Sequence, residues 1–214
     1  MSSGPTGERA PPHRLPTAYV VDDDEAIRTL WRWLMESNGI AVQAFATAAE
    51  FIATYKEEGG LACLVLDVRL PGMSGLELQD YLRREGIEIP IVFVSGHGDV
   101  PTAVSAIKGG AVDFIQKPFS YREVVAIIKR SFERDAGNRE RRARRSHVAE
   151  RLATLTDRER EVMQRVIEGK LNKVIADELG ISVKTVEFHR ARVMEKMEAD
   201  SVAGLVQLMM QHPA

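Results

Sequence analysis

Acidic, hydroxyl and amine side chains recur along this chain just after short apolar runs. Asp22, Asp23, Asp24 and Glu25 follow Tyr19–Val21, and Asp67 follows Leu61–Leu66. Ser95 follows Ile91–Val94, and Lys117, ahead of Pro118, follows Asp113–Ile115. Carboxylates gathered in one place repel one another unless a cation sits among them. Oxygen donors suit Mg2+, which takes one or two protein carboxylates and keeps several waters. A lysine and a hydroxyl on the opposite side complement an anion at that metal, which is what phosphoryl transfer to a carboxylate requires. Taken singly, an aspartate after a strand is usually a turn or helix cap, and a Lys-Pro pair is a loop. Four such positions in chain order make a joint site the better reading.

The elements that must hold these residues are written in the hydropathy pattern. From Ala18 to about Arg130 the apolar runs, with a weaker one near Val42–Phe45, alternate with amphipathic stretches such as Ile27, Trp31, Leu34 and Met35. Five strands alternating with helices imply an α/β fold, a doubly wound five-stranded parallel sheet covered on both faces. Such sheets place ligands at the carboxyl ends of their strands, beside the topological switch point. Trp31 shares a face with Ile27 and Leu34 and reads as core, and Cys63, inside an apolar strand, reads the same way. Leu30, Trp33 and Ser37 form a second stripe on the same helix, open to a packing role or a docking role.

Beyond this region the pattern is all-α. Thr156 and Glu159 form a capping box in T-D-R-E, followed by Val162, Val166 and Ile167. A short segment, Asn172–Leu179, leads through a Gly-Ile-Ser turn at 180–182 to a longer helix from Val183 to about Met197, and another helix starts near Ser201. Two helices joined by a tight glycine turn suggest a helix-turn-helix in a four-helix domain.

The whole chain has 214 residues and a formal net charge of −2, an average over unlike parts. Residues 1–130 carry 13 basic and 17 acidic side chains, residues 131–151 seven and four, and residues 152–214 nine and ten. The division is therefore 1–17 as a tail, 18–131 as the sheet domain, 132–151 as a charged helical linker and 152–214 as the helical domain. The arginines of the connector (R-E-R-R-A-R-R) either steer toward DNA or form a solvated helical face, and the solvated face is the default reading. A single cysteine excludes an intramolecular disulfide and a cysteine-built zinc site, which fits a reducing cytoplasm. The five histidines, at 13, 97, 147, 189 and 212, have no ligand spacing. No apolar run is long enough to span a membrane, and no membrane partner is expected.

Residues 18–131 resemble the receiver domain of two-component response regulators: V-V-D-D-D-E, L-D-V-R-L-P-G-M-S-G, V-S-G-H-G-D and D-F-I-Q-K-P-F match its motifs. The resemblance implies that Asp67 is the phosphoacceptor for a phosphohistidine on a sensor histidine kinase. Mg2+ would be held by Asp23, Asp67 and the Arg69 main-chain carbonyl, with Asp22 acting mainly through water. Ser95 and Lys117 would bind the phosphoryl group, and Phe114 would be the aromatic that turns inward with Ser95. The Lys117–Pro118 bond is typically cis in that family. Residues 152–210 resemble the LuxR/NarL-type helix-turn-helix, through L-T-D-R-E-R-E-V and G-K-L-N-K-V-I-A-D-E-L-G-I-S-V-K-T-V-E-F-H-R.

On that likeness Ile175, Ala176, Leu179, Val186, Val193 and Met197 build a small core, and the outer face of the third helix enters the major groove of promoter DNA. Lys173, Lys184 and Thr185 are expected at phosphates, and Glu187, Phe188 and Ala191 at base edges. Arg192 is expected at the backbone or in solvent, and core filling is the alternative for Phe188. The combination resembles the NarL/FixJ family, FixJ-type regulators most of all. It implies a phosphorylation-activated transcription factor that forms a phosphorylation-dependent homodimer and works with RNA polymerase. It would not be a turnover enzyme. An aspartate-nucleophile phosphatase of the haloacid-dehalogenase type would want a second Asp two residues after the nucleophile, where this chain has Arg69.

Overall fold

The structure is a computed structural model describing residues 15–57, 59–96 and 100–210. The expected tail lies, as far as Arg14, outside the described residues, and so do His13, His97 and His212. Thr17 already belongs to the first strand.

Five strands form one sheet: β1 (Thr17–Val21), β2 (Ala41–Phe45), β3 (Ala62–Asp67), β4 (Ile91–Ser95) and β5 (Asp113–Gln116). Their order is β2-β1-β3-β4-β5 and every pairing is parallel. Residues alternate across the sheet because strand side chains have a period of two. Val20, Cys63, Val65, Val92 and Val94 face one core, packed under α1 (Glu25–Glu36) and the first turns of α5 (Tyr121–Ala153). Tyr19, Val21, Leu64, Leu66, Ile91 and Phe93 face the other, under α2 (Ala48–Thr54), α3 (Gly75–Arg84) and α4 (Val100–Lys108). β2 is one of the two edge strands and has no fully buried residue, which is why its apolar signal is the weakest. Trp31 and Cys63 are buried core, as expected, whereas Trp33 is 62% exposed and meets the edge of Tyr121.

The chain divides into two compact units between Asn138 and Arg139, inside α5. In the first unit α5 buries Val124, Ile127, Ile128 and Phe132, and buried Asp135 accepts the Ala62 N–H at 2.9 Å. Burial pushes the neighbouring Cys63 thiol up, with the charge of Asp135 adding to the effect. In the second unit the end of α5 joins α6 (Asp157–Ile167), α7 (Asn172–Leu179), α8 (Val183–Lys196) and α9 (Val202–Met210). Val148, Val162, Val166, Ile175, Ala176, Val186, Val193, Met197 and Leu205 form its core, and Leu179 packs against it half-buried. The Thr156–Glu159 capping box forms as the sequence predicts. Gly180 closes α7 at φ +64°, a left-handed conformation that glycine adopts without the Cβ penalty, and so the turn into α8 can be tight.

Candidate phosphoacceptor site and nucleic-acid interface

The order of the sheet reverses at β1, whose neighbours are β2 and β3, and the crevice beyond their carboxyl ends is where doubly wound sheets bind ligands. Asp22 stands just past β1 and Asp67 is the last residue of β3. Lys117, just past β5, reaches across to both, its Nζ lying 3.0 Å from Asp22 Oδ2 and 3.2 Å from Asp67 Oδ2. Asp22 is held further by the Asp24 amide (3.0 Å to Oδ1), and its own carbonyl accepts from Arg28 (2.7 Å). The Arg69 amide donates to Asp67 Oδ1 at 2.9 Å. Buried Ser95 ends the neighbouring strand, where Asp67 is in register with Val94, and its carbonyl accepts the Lys117 N–H at 2.9 Å. The Lys117–Pro118 bond is cis.

Two carboxylates share one ammonium. Burial would pull Lys117 down, but the hydrogen bond and charge of Asp22, followed by those of Asp67, outweigh it and hold the amine well charged. Burial pushes the Asp22 carboxyl up, against the lowering pull of Lys117 and the Asp24 amide. Asp23 is exposed at the rim, as is the Arg69 side chain. Among the described residues, no three His, Cys, Asp or Glu side chains form a ready-made metal cluster. The donor set still suits a hard cation, because Asp22 and Asp67 converge on one point and Mg2+ needs only one or two carboxylates, completed by carbonyl and water oxygens. Phe114 is half-buried on the second core, its ring stacked 6.3 Å from Phe93.

In the second unit Ser182 caps α8, accepting the Thr185 amide at 3.0 Å. Lys184, Glu187, Phe188, Ala191, Arg192 and Glu195 are all exposed on α8, opposite buried Val186 and Val193. Phe188 is 59% exposed, so it does not fill the core; the Arg192 guanidinium lies 5.8 Å from its ring centroid. Lys173 is exposed on α7, and Thr185 is half-buried with its hydroxyl 2.8 Å from that of Ser182.

Residues 18–129 match the response regulator receiver domain family, and residues 153–209 the bacterial regulatory proteins of the luxR family. The chain belongs to the response-regulator family. It is 44% identical over 198 residues to the transcriptional regulatory protein FixJ of Azorhizobium caulinodans, covering 92% of each chain. It is 41% identical to the response regulator protein TodT of Pseudomonas putida, covering 95% of this chain and 89% of that one. The solved structure of the response regulator StyR superimposes with a TM-score of 0.79 at 40% identity, covering 93% of this chain and all of that one. This response regulator thus joins a receiver domain to a luxR-type DNA-binding domain, the combination of a phosphorylation-activated transcription regulator, and its receiver implies a sensor kinase partner. No helix among the described residues is long and apolar enough to cross a membrane.

Several residues that shape the two sites of this regulator carry no signal in the sequence. Arg28 clamps the Asp22 carbonyl from six residues away. Gly75 starts α3 directly against β3, where an added Cβ would lie 2.2 Å from the Asp67 carbonyl oxygen. Lys196, at the end of α8, turns back into its own unit, donating to Glu159 Oε2 at 2.6 Å and to the Thr154 carbonyl at 3.0 Å. Arg190 likewise reaches Asn172 Oδ1 at 2.9 Å.

Proposed function

We propose that Asp67 accepts a phosphoryl group from a phosphohistidine on a sensor histidine kinase, and that the acyl phosphate changes promoter binding by α8. A carboxylate oxygen of Asp67 attacks phosphorus as the P–N bond breaks, and the imidazole leaves with the bonding electron pair. Lys117 neutralises the transferred oxygens from the position it already holds against Asp67, and Ser95, on the next strand, hydrogen-bonds them. Asp22, Asp23, Asp67 and the Arg69 carbonyl would hold Mg2+, which when bound supplies positive charge for the phosphoryl oxygens. The reading is carried by Lys117 bridging Asp22 and Asp67 at the switch point of a receiver sheet.

Ser95 moving toward the phosphoryl group vacates space that the Phe114 ring enters, so a local charge event alters the α4–β5 surface. Val100, Val104 and Ile107 are exposed on α4, which suits a homodimer formed there. Paired chains then place two copies of α8 on two half-sites, with Lys173, Lys184 and Thr185 at phosphates and Glu187, Phe188 and Ala191 at base edges. RNA polymerase is the further partner. The protein promotes addition and hydrolysis of its own phosphoryl group and turns over no other substrate. Asp67→Asn abolishes labelling by acetyl phosphate in the presence of Mg2+, and labelling at the wild-type rate would refute the assignment. Beryllofluoride, a phosphoryl mimic, raises both the molecular mass in light scattering and the affinity for promoter DNA; no change in either would refute the coupling.

A further inference from the structure

Affinity for duplex DNA comes largely from neutralising phosphates with lysine and arginine, and the helical body of the second unit has little positive charge to offer. From residue 152 onward it carries nine basic against ten acidic side chains. Among the described residues of that stretch, every arginine, together with Lys170 and Lys196, already donates to a carboxylate, an amide oxygen or a main-chain carbonyl of its own unit. Lys173 and Lys184 are the two that do not. The outer face of α8 sets Lys184 and Arg192 against Glu187 and Glu195, so it is neutral as a face.

The missing charge stands on α5. Residues 139–151 carry six arginines against two glutamates, and helical spacing sorts them. With Val148 as reference, Arg141, Arg144 and Arg145 fall within about 60° of it, and so do Arg151 and Leu152, at roughly 100° per residue. One face therefore carries arginines first and docking residues afterwards. The docking part is fixed: Val148 is 3% exposed, Leu152 packs on the core, and Arg151 donates to the Met197 carbonyl at 3.3 Å and to Glu198. At about 1.5 Å per residue, the exposed side chains of Arg144 and Arg145 stem from backbone about 5 Å before Val148, and Arg141 from about 10 Å before it. They continue the docked face beyond the core that anchors it. Glu150 lies on the opposite side. Glu140 lies at the margin and pairs with Arg144, an exposed ion pair of the same weak kind as Arg192–Glu195 on α8, and Arg141 is engaged as well, so what sets the α5 face apart is its net positive charge rather than unpaired cations.

We infer that Arg141, Arg144 and Arg145 form a second duplex-DNA contact, gripping phosphates alongside those reached by α7 and α8. The inference rests on the DNA-binding reading above. Arginine suits the task, since its planar fork meets phosphate oxygens bidentately. The contact reads no sequence and adds affinity that the neutral face of α8 does not supply.

The test is the salt dependence of binding by the full chain to a fluorescein-labelled mixed-sequence duplex of about 40 base pairs, followed by anisotropy from roughly 50 to 300 mM NaCl. R141Q/R144Q/R145Q lowers the slope of log K against log salt by roughly 2–3 per bound chain, about 0.9 for each phosphate no longer neutralised. The triple lysine variant keeps the wild-type slope, because lysine preserves the point charge. A glutamine variant with the wild-type slope overturns the inference, and so does a lysine variant that loses as much as the glutamine variant, because the loss would then come from damage to the helix. If the wild-type chain shows no salt-dependent binding, the DNA-binding reading itself fails. If wild type binds and only the glutamine result is null, the connector contact alone is refuted.

Discussion

Glu159→Gln tests how the second unit holds the end of α8. Glu159 Oε2 accepts the Thr156 amide at 2.8 Å and the Lys196 amine at 2.6 Å, joining the start of α6 to the end of α8. The Lys196 hydrogen bond, followed by the Thr156 amide, lowers the Glu159 carboxyl from 4.5 to about 2. At about 1.4 kcal/mol per pH unit that shift corresponds to about 3 kcal/mol at neutral pH. Solvent at Lys196, whose side chain is 30% exposed, trims the expected loss to about 2–3 kcal/mol. A depressed carboxylate stabilises above its unfolded value and ceases to do so as pH falls through its folded one. The contribution is therefore complete above about pH 5, shrinks to about 1 kcal/mol at pH 3, and is nearly gone at pH 2. Both tryptophans, Trp31 and Trp33, lie in the first unit, so their fluorescence follows that unit alone during urea unfolding. Far-UV circular dichroism follows both units, and the transition it shows beyond the fluorescence belongs to the second. In Glu159→Gln only that second transition moves to lower urea, and the gap from wild type narrows between pH 7 and pH 3. A second transition shifted by under about 0.5 kcal/mol, or a gap unchanged with pH, would refute the latch.

Gly75→Ala forces a Cβ to within 2.2 Å of the Asp67 carbonyl oxygen, a backbone atom that cannot swing aside. It is expected to cost about 3 kcal/mol and to slow labelling of Asp67, measured by the tryptophan transition in urea and by acetyl phosphate uptake. Trp31→Ala, emptying a 1% exposed site, costs about 3–5 kcal/mol by the same fluorescence, with Trp33 as the remaining reporter. Trp33→Ala, which removes one exposed edge contact with Tyr121, stays below about 1 kcal/mol, followed through Trp31.

The features that could be read from the sequence are those written in local periodicity. Alternating strand residues and strand-end polar residues located the sheet and put Asp22, Asp67, Ser95 and Lys117 on one rim, because a parallel doubly wound sheet has only one such rim. The Thr156–Glu159 box was readable for the same reason, since cap and partner are three residues apart. What escaped depends on partners far off in sequence. Asp135 looks like one more charge in R-S-F-E-R-D-A-G until it meets the Ala62 amide, 73 residues away. Lys196 looks like recognition-helix charge until it meets Glu159, 37 residues away. Gly75 is ordinary in its motif until the close approach of α3 to β3 is known. Helical spacing gives the face of a side chain but not its partner.

The same attention to charge yields a metal-dependence prediction for the receiver pocket. At rest Asp22 and Asp67 share the one positive charge of Lys117, leaving one negative charge in excess, with Asp23 at the rim adding a second. Converting the Asp67 carboxylate to an acyl phosphate adds about one further negative charge in a partly buried crevice. Lys117 can pair with the new oxygens, but its single positive charge is already counted against the two carboxylates, so the added charge stays unbalanced. Among the described residues no other basic side chain is paired with these carboxylates, because Arg28 is committed to the Asp22 carbonyl and Arg69 is exposed. Labelling by acetyl phosphate should therefore fall by at least about tenfold in EDTA, a barrier change of about 1.4 kcal/mol or more, and recover when Mg2+ is restored. Asp23→Asn should raise the Mg2+ concentration needed for half-maximal labelling without abolishing it at saturation, because Asp22 and Asp67 remain as donors. Labelling that is indifferent to EDTA would mean that Lys117 and Ser95 suffice to neutralise the phosphoryl oxygens, and the charge argument for a divalent cation would fall.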